Sequence, residues 1–257
     1  MLGWSINLFR IRGIQLAVHF SFVLWLAFAA DQGWRDGGLA GLIWGVATLL
    51  VFFTCVVLHE LGHSFTAMHF GVGVRRILLM PIGGMAEFDS IPRQPSRELL
   101  ITLAGPAVNF VIAAVLFLFV GVPQGWPLGD FDYDANLAGF VQLLLSWNLL
   151  MGCFNLLPVF PMDGGRIFRA LLATRLSYLR ATFWAATVGK VLAAIAALIA
   201  LLVFHRYLTA VLFAFIYLAG EAEYRAVKRR ELEDAQWREM ALRFHLPPRD
   251  EPPVLAP

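Results

Sequence analysis

The chain has 257 residues, 59% of them hydrophobic and only 15% charged, with a mean hydropathy of +0.70 and a formal net charge of +2. A soluble globular domain carries about 25% charged residues, so this balance excludes an ordinary soluble enzyme and points to an integral protein of the lipid bilayer, with no nucleic-acid partner expected. The two cysteines, Cys55 and Cys153, both lie inside apolar runs and imply no disulfide framework.

Runs of about 18 or more residues with few charges mark membrane spans. In chain order they predict helices over about 14–31, 38–69, 98–120, 136–157, 181–204 and 207–224. The expected fold class is an all-α polytopic membrane protein with about six transmembrane helices. The first span is long and lacks a small-residue cleavage site ahead of a soluble domain, so it is not read as a cleaved signal peptide. Between helices 2 and 3 the pattern breaks. Residues 71–98 hold four glycines and three prolines, and the runs RRILLM and MAEF look like short strands. A small β-strand or re-entrant segment is expected there, folded back near the cytoplasmic surface, because non-helical backbone at membrane depth must be buried in protein or face water. Lys190 interrupts the fifth span and is expected to snorkel toward the cytoplasm. The sixth is short unless it runs past Glu221. Residues 1–222 are thus read as the membrane domain and 223–257 as a cytoplasmic helical extension with a disordered tail. No internal repeat or low-complexity tract is visible.

The bases are unevenly placed. Arg10 and Arg12, then Arg75, Arg76, Arg93 and Arg97, then Arg166, Arg169, Arg175 and Arg180, then Arg225, Lys228, Arg229 and Arg230 fall in alternate loops. The intervening loops hold Arg35, the acidic run Asp130, Asp132 and Asp134, and Arg206. By the positive-inside rule both termini and the 71–98 segment face the cytoplasm.

The second span ends in VLHELGHSF, Val57 to Phe65. His59 and His63 are i and i+4, so they share one helix face about one turn apart and can reach one metal ion. Glu60 is turned about 100° away and can lie beside that ion. Two zinc ligands with a carboxylate that takes a proton from the activated water is the logic of H-E-x-x-H. A satisfied core histidine is the ordinary alternative, but ionisable groups inside a span are expensive and mark function by default. A third protein ligand is needed. His69 lies on the wrong face. Asp163, in NLLPVFPMDGGR, is presented by helix-breaking prolines and a Gly164–Gly165 turn. It reads either as that ligand or as the N-cap of the segment that follows.

HELGH in a second span, GGMAEF after it, and Asn155, Pro158, Pro161, Asp163, Gly164 and Gly165 in an Asn-x-x-Pro-x-x-Pro-x-Asp-Gly-Gly segment about 100 residues later resemble the site-2 protease family of intramembrane zinc metalloproteases. The resemblance covers about residues 14–222 and looks closest to a bacterial and archaeal six-span branch. It implies one Zn2+ per chain held by His59, His63 and Asp163, Glu60 as general base, and Asn155 holding substrate or the oxyanion. It also implies single-span membrane-protein substrates cut near the cytoplasmic face, in regulated intramembrane proteolysis. Many relatives carry a PDZ domain between the motifs or a CBS pair after the last span, and neither is visible here.

Read from the residues alone, Asn155 has the alternative of capping the broken helix or bonding across helices, and Asn148, seven residues earlier, reads as interhelical glue. His19 and Cys55 read as packing residues. The strand-like 77–88 segment can pair with an extended substrate, with Gly83 and Gly84 allowing close backbone approach, or be a plain hairpin. Two other classes compete with the protease. A metal-ion transporter needs polar groups through the whole membrane, and the outer halves of these spans are nearly bare. An inactive protease-like scaffold does not need Glu60 with all three ligands intact.

Overall fold

The structure is a computed structural model that describes residues 4–81, 83–89, 92–121 and 137–244. The acidic run at 130–134 and the tail expected to be disordered beyond residue 244 lie outside the described residues. The described residues open with a hairpin, β1 (Ser5–Ile11) and β2 (Ile14–His19), ahead of the first helix. Arg12 and Gly13 carry positive φ angles of 47° and 93°, the conformation of a tight two-residue hairpin turn. This corrects the expectation that the first span begins near residue 14. Ile14, Leu16 and Ala17 are apolar because they sit in the middle of a sheet, where a strand is buried on both faces.

Helix α1 (Ser21–His69) runs for 49 residues, which would be about 70 Å if straight, more than twice a bilayer's hydrocarbon core. It is not straight. Gly37 and Gly38 leave helical geometry, Gly38 with φ 58°. A Cβ on Gly33 or Gly41 would fall on the other residue's carbonyl, and one on Gly45 would lie 2.9 Å from the Ala29 carbonyl oxygen. The pairs 33–41 and 29–45 are symmetric about residue 37, so α1 is two antiparallel helices packed backbone to backbone. Only small residues allow that approach.

The chain then forms β3 (Val74–Met80) and β4 (Gly83–Phe88). The sheet order is β1-β2-β3-β4, with β2 parallel to β3 and the other pairs antiparallel. The expected strands after helix 2 therefore exist, but they complete a sheet begun at the N-terminus. The parallel β2–β3 pair requires a long crossover, which α1 supplies. Helices α2 (Pro95–Val120), α3 (Leu137–Asn155), α4 (Asp163–Ala173), α5 (Tyr178–Leu202) and α6 (Tyr207–Phe244) follow. Among the described residues four helices, α1, α2, α3 and α5, are long and apolar enough to cross a membrane. The first 14 residues of α6 are largely apolar and the remainder is largely polar.

The described residues divide into two compact units, one holding the sheet, α1, Ala104–Val120 and Leu137–Cys153, the other holding 92–103 and 154–244. The second is organised around a buried charge cluster. Arg169 is 1% exposed and is the largest fully buried side chain. Its guanidinium donates to Glu98 Oε1 at 2.9 and 2.5 Å and to Glu223 Oε1 at 2.6 Å, between the rings of Phe160 and Tyr178. The starts of α2 and α5, α4, and the middle of α6 are thereby tied to one cation. Lys190 pairs with Glu221 at 2.7 Å and joins α5 to α6. Removing one member of a buried ion pair costs about 3–5 kcal/mol because the partner is left charged and dry. Arg169→Met is expected to lower stability by about that amount in denaturant unfolding in detergent, with much of the loss recovered by adding Glu98→Leu. Unchanged stability of the single variant would contradict the assignment.

Candidate metal centre

The second half of α1 carries HELGH into the sheet-bearing unit. Gly62 lies close against α2, since a Cβ there would lie 2.7 Å from the Ala104 carbonyl oxygen and 2.9 Å from Val108 Cγ2. This approach sets His59 beside Asn109. The His59 Nδ1 to Asn109 Oδ1 distance is 2.6 Å, and Asn109 is fully buried. A carbonyl oxygen only accepts, so Nδ1 is the donor and Nε2 is the unprotonated ring nitrogen. Such a partner on the second nitrogen is the usual accompaniment of a metal-ligating histidine.

His59 and His63 are 4% and 7% exposed, and their Nε2 atoms lie 3.1 Å apart. Two ring nitrogens that close need a proton or a cation between them. Asp163 is also buried, and one ligand atom from each of His59, His63 and Asp163 falls within 4.8 Å of the others. Gly105, one turn before Asn109 on α2, has its missing side chain aimed at this place. A Cβ there would sit 2.8 Å from His59 Nε2 and closer still to the ring of His63. The glycine leaves room in front of both nitrogens. Two imidazoles, one carboxylate and an open cradle suit zinc, whose catalytic sites use three protein ligands and keep one position free.

Asp163 is the first residue of α4, not its N-cap, which is Met162. The turn before it is tight. Cβ atoms on Gly164 or Gly165 would strike the backbone of Leu156 and Leu157 or of Val159 and Phe160. Asn155 is the last residue of α3 and is half-buried, so helix break, Asn155 and Asp163 come from one short segment. Glu60 is half-buried, and β4 packs on its side chain: a Cβ on Gly84 would lie 2.6 Å from Glu60 Cγ. Gly83 opens β4 with φ 136° and free space beyond it. Because β4 pairs only with β3, its outer edge is open among the described strands.

His19 bonds Ser21 Oγ at 2.6 Å and His69 ends α1; neither belongs to the metal-ligating group. Asn109 and Gly105 were not singled out by the sequence reading. Their signal was GPAVN at 105–109, a glycine and an amide one turn apart in an apolar helix, where a polar side chain must find a partner.

The sequence profile of peptidase family M50 matches residues 47–131 and 130–201. A zinc metalloprotease of Methanocaldococcus jannaschii is 41% identical over 229 residues, which are 88% of this chain and 62% of that protein. Stage IV sporulation protein FB of Bacillus subtilis is 27% identical over 168 residues, 65% of this chain and 51% of that protein. This chain thus spans less than two thirds of the length of either relative. The solved structure of the site-2 protease from M. jannaschii superimposes with a TM-score of 0.60 at 38% identity, covering 86% of this chain and 95% of that one.

If Gly105 keeps the cradle open, Gly105→Ala should weaken zinc binding by about 10- to 100-fold, the range seen when the surroundings of metal ligands are disturbed. Competition with a chelating dye measures this. Undiminished affinity would show that the space is not the ion's.

Proposed function

The chain belongs to peptidase family M50, and from that premise we propose that it is a zinc-dependent intramembrane endopeptidase cutting transmembrane segments of single-span membrane proteins near the cytoplasmic face. The observation that carries this reading is the buried group of His59, His63 and Asp163, with Glu60 on the same helix turn. All three side chains would hold one Zn2+. When bound, zinc brings the pKa of a water toward about 7 and polarises the scissile carbonyl. The remaining work falls to the protein. Glu60 takes the proton of the attacking water and returns one to the departing amine. Asn155 donates to the oxyanion, an interaction whose removal typically slows such reactions about 100- to 1,000-fold.

The scissile bond must first leave its helix, because a helical peptide group is shielded by its own hydrogen bonds. The open edge of β4 supplies an alternative set of backbone partners. Gly84 lies against Glu60, so a substrate strand added to β4 near Gly83 and Gly84 would run past the catalytic carboxylate.

Six crossings are assembled from the two arms of α1, then α2, α3, α5 and the apolar first part of α6. The alternation of arginine-rich loops supports cytoplasmic termini, and the archaeal and bacterial relatives support a prokaryotic inner membrane. A transporter is disfavoured because the outer halves of the spans hold few polar groups that could line a path.

Glu60→Gln is expected to retain zinc and to abolish cleavage of a co-expressed single-span substrate; continued cleavage would remove Glu60 from the role of base. Gly84→Val should slow cleavage by up to about 100-fold, the cost of a misplaced substrate, while zinc content stays at the wild-type level. Wild-type turnover in that variant would leave β4 without a part in substrate binding.

A further inference from the structure

A chain of amide hydrogen bonds leads away from His59 into α3. Asn109 Nδ2 donates to Asn148 Oδ1 at 3.0 Å, and Asn148 Nδ2 donates to the Leu144 carbonyl at 2.8 Å and toward Cys55 Sγ at 3.4 Å. Asn109 and Asn148 are 0% and 1% exposed, so no solvent competes for these groups. The direction of every bond follows from its far end. A backbone carbonyl only accepts, so the amide nitrogen of Asn148 must face Leu144. Its oxygen therefore faces Asn109. The nitrogen of Asn109 must then face Asn148, and its oxygen faces His59. His59 Nδ1 has to be the donor, and Nε2 is left with its lone pair toward His63 and the metal-binding group.

An amide without such an anchor has two orientations about its last torsion, with nitrogen and oxygen exchanged. A flipped Asn109 would present N–H to His59 Nδ1. The ring would then carry its proton on Nε2, where a cation cannot bind. From this polarity we infer that Asn148 is a positioning residue that fixes the tautomer of His59 through Asn109. Its anchor is the backbone of α3 one turn before it. The role of interhelical glue is too small for Asn148, because a bond of either polarity would join the helices equally well. Cys55, one turn before His59 on α1, completes the surroundings of the Asn148 nitrogen and needs no chemistry of its own.

The inference rests on the zinc reading proposed above, and the test separates the two. Zinc affinity is measured by dye competition on the full chain in detergent, for wild type and for Asn148→Leu, Asn148→Ser and Asn148→Asp, together with the melting midpoint of each metal-free protein. Leucine keeps the branched outline of asparagine with no polarity, at a larger volume. Serine can satisfy the Leu144 carbonyl as Ser146 satisfies that of Gln142 at 2.9 Å, but is too short to orient Asn109. A buried aspartic acid stays protonated and reproduces both bonds, hydroxyl to Leu144 and carbonyl toward Asn109. The expected result is zinc affinity about 10- to 100-fold weaker in the leucine and serine variants and close to wild type in the aspartate variant. If the leucine variant does not fold, the serine variant carries the comparison. Zinc affinity unchanged in the serine variant, or lost equally in the aspartate variant, overturns the inference, whatever happens to the metal-free melting midpoints. Failure of the wild type to bind zinc overturns the site reading itself.

Discussion

Two imidazole nitrogens 3.1 Å apart in a dry interior are the constraint around which the sheet-bearing unit is arranged. In water such a pair would be hydrated and would drift apart. Here His59 is held by Asn109 and both rings sit against Gly105, so the two Nε2 atoms stay aimed at a common point. Apolar surroundings make this arrangement expensive without a cation and strong with one, because charge interactions grow as water is excluded. The features that follow from it are the positions where side chains are absent: Gly62 lets α2 close on α1, Gly105 leaves the cradle, and Gly84 lets β4 rest on Glu60.

The second unit solves a different problem with the same economy of polar groups. Arg169 draws Glu98 and Glu223 around one guanidinium and stacks on Phe160, three residues before Asp163. Phe160 is itself packed on Ala185 and Ala186 of α5. The turn that presents Asp163 is thus fixed from below by a cation and from the side by small residues on a neighbouring helix.

Much of the site was legible in the sequence because its signals are local. His59, Glu60 and His63 share a turn, and the helix period alone sets their relative directions. Asp163 and its flanking prolines and glycines announce a broken helix within ten residues. The strand signal in RRILLM and MAEF was also local. The N-terminal hairpin was not, because Ile14–His19 is apolar for the same reason a membrane span is, and hydropathy does not distinguish a strand buried on both faces from a helix in lipid. The turn Arg12–Gly13 was the available cue. Asn109, Asn148 and Arg169 were invisible as partners because their bonds join residues 39 to 71 positions apart. Sequence marks each as a polar residue in the wrong place, and only the fold says which one answers it.

Zinc K-edge X-ray absorption on the purified wild-type chain, with metal content measured on the same sample, addresses the central claim most directly. The account predicts about one zinc per chain, with a tetrahedral shell of two imidazole nitrogens and oxygen ligands and no sulfur. A protein that folds but takes up no zinc, or a shell in which Cys55 or Cys153 supplies sulfur, would contradict it.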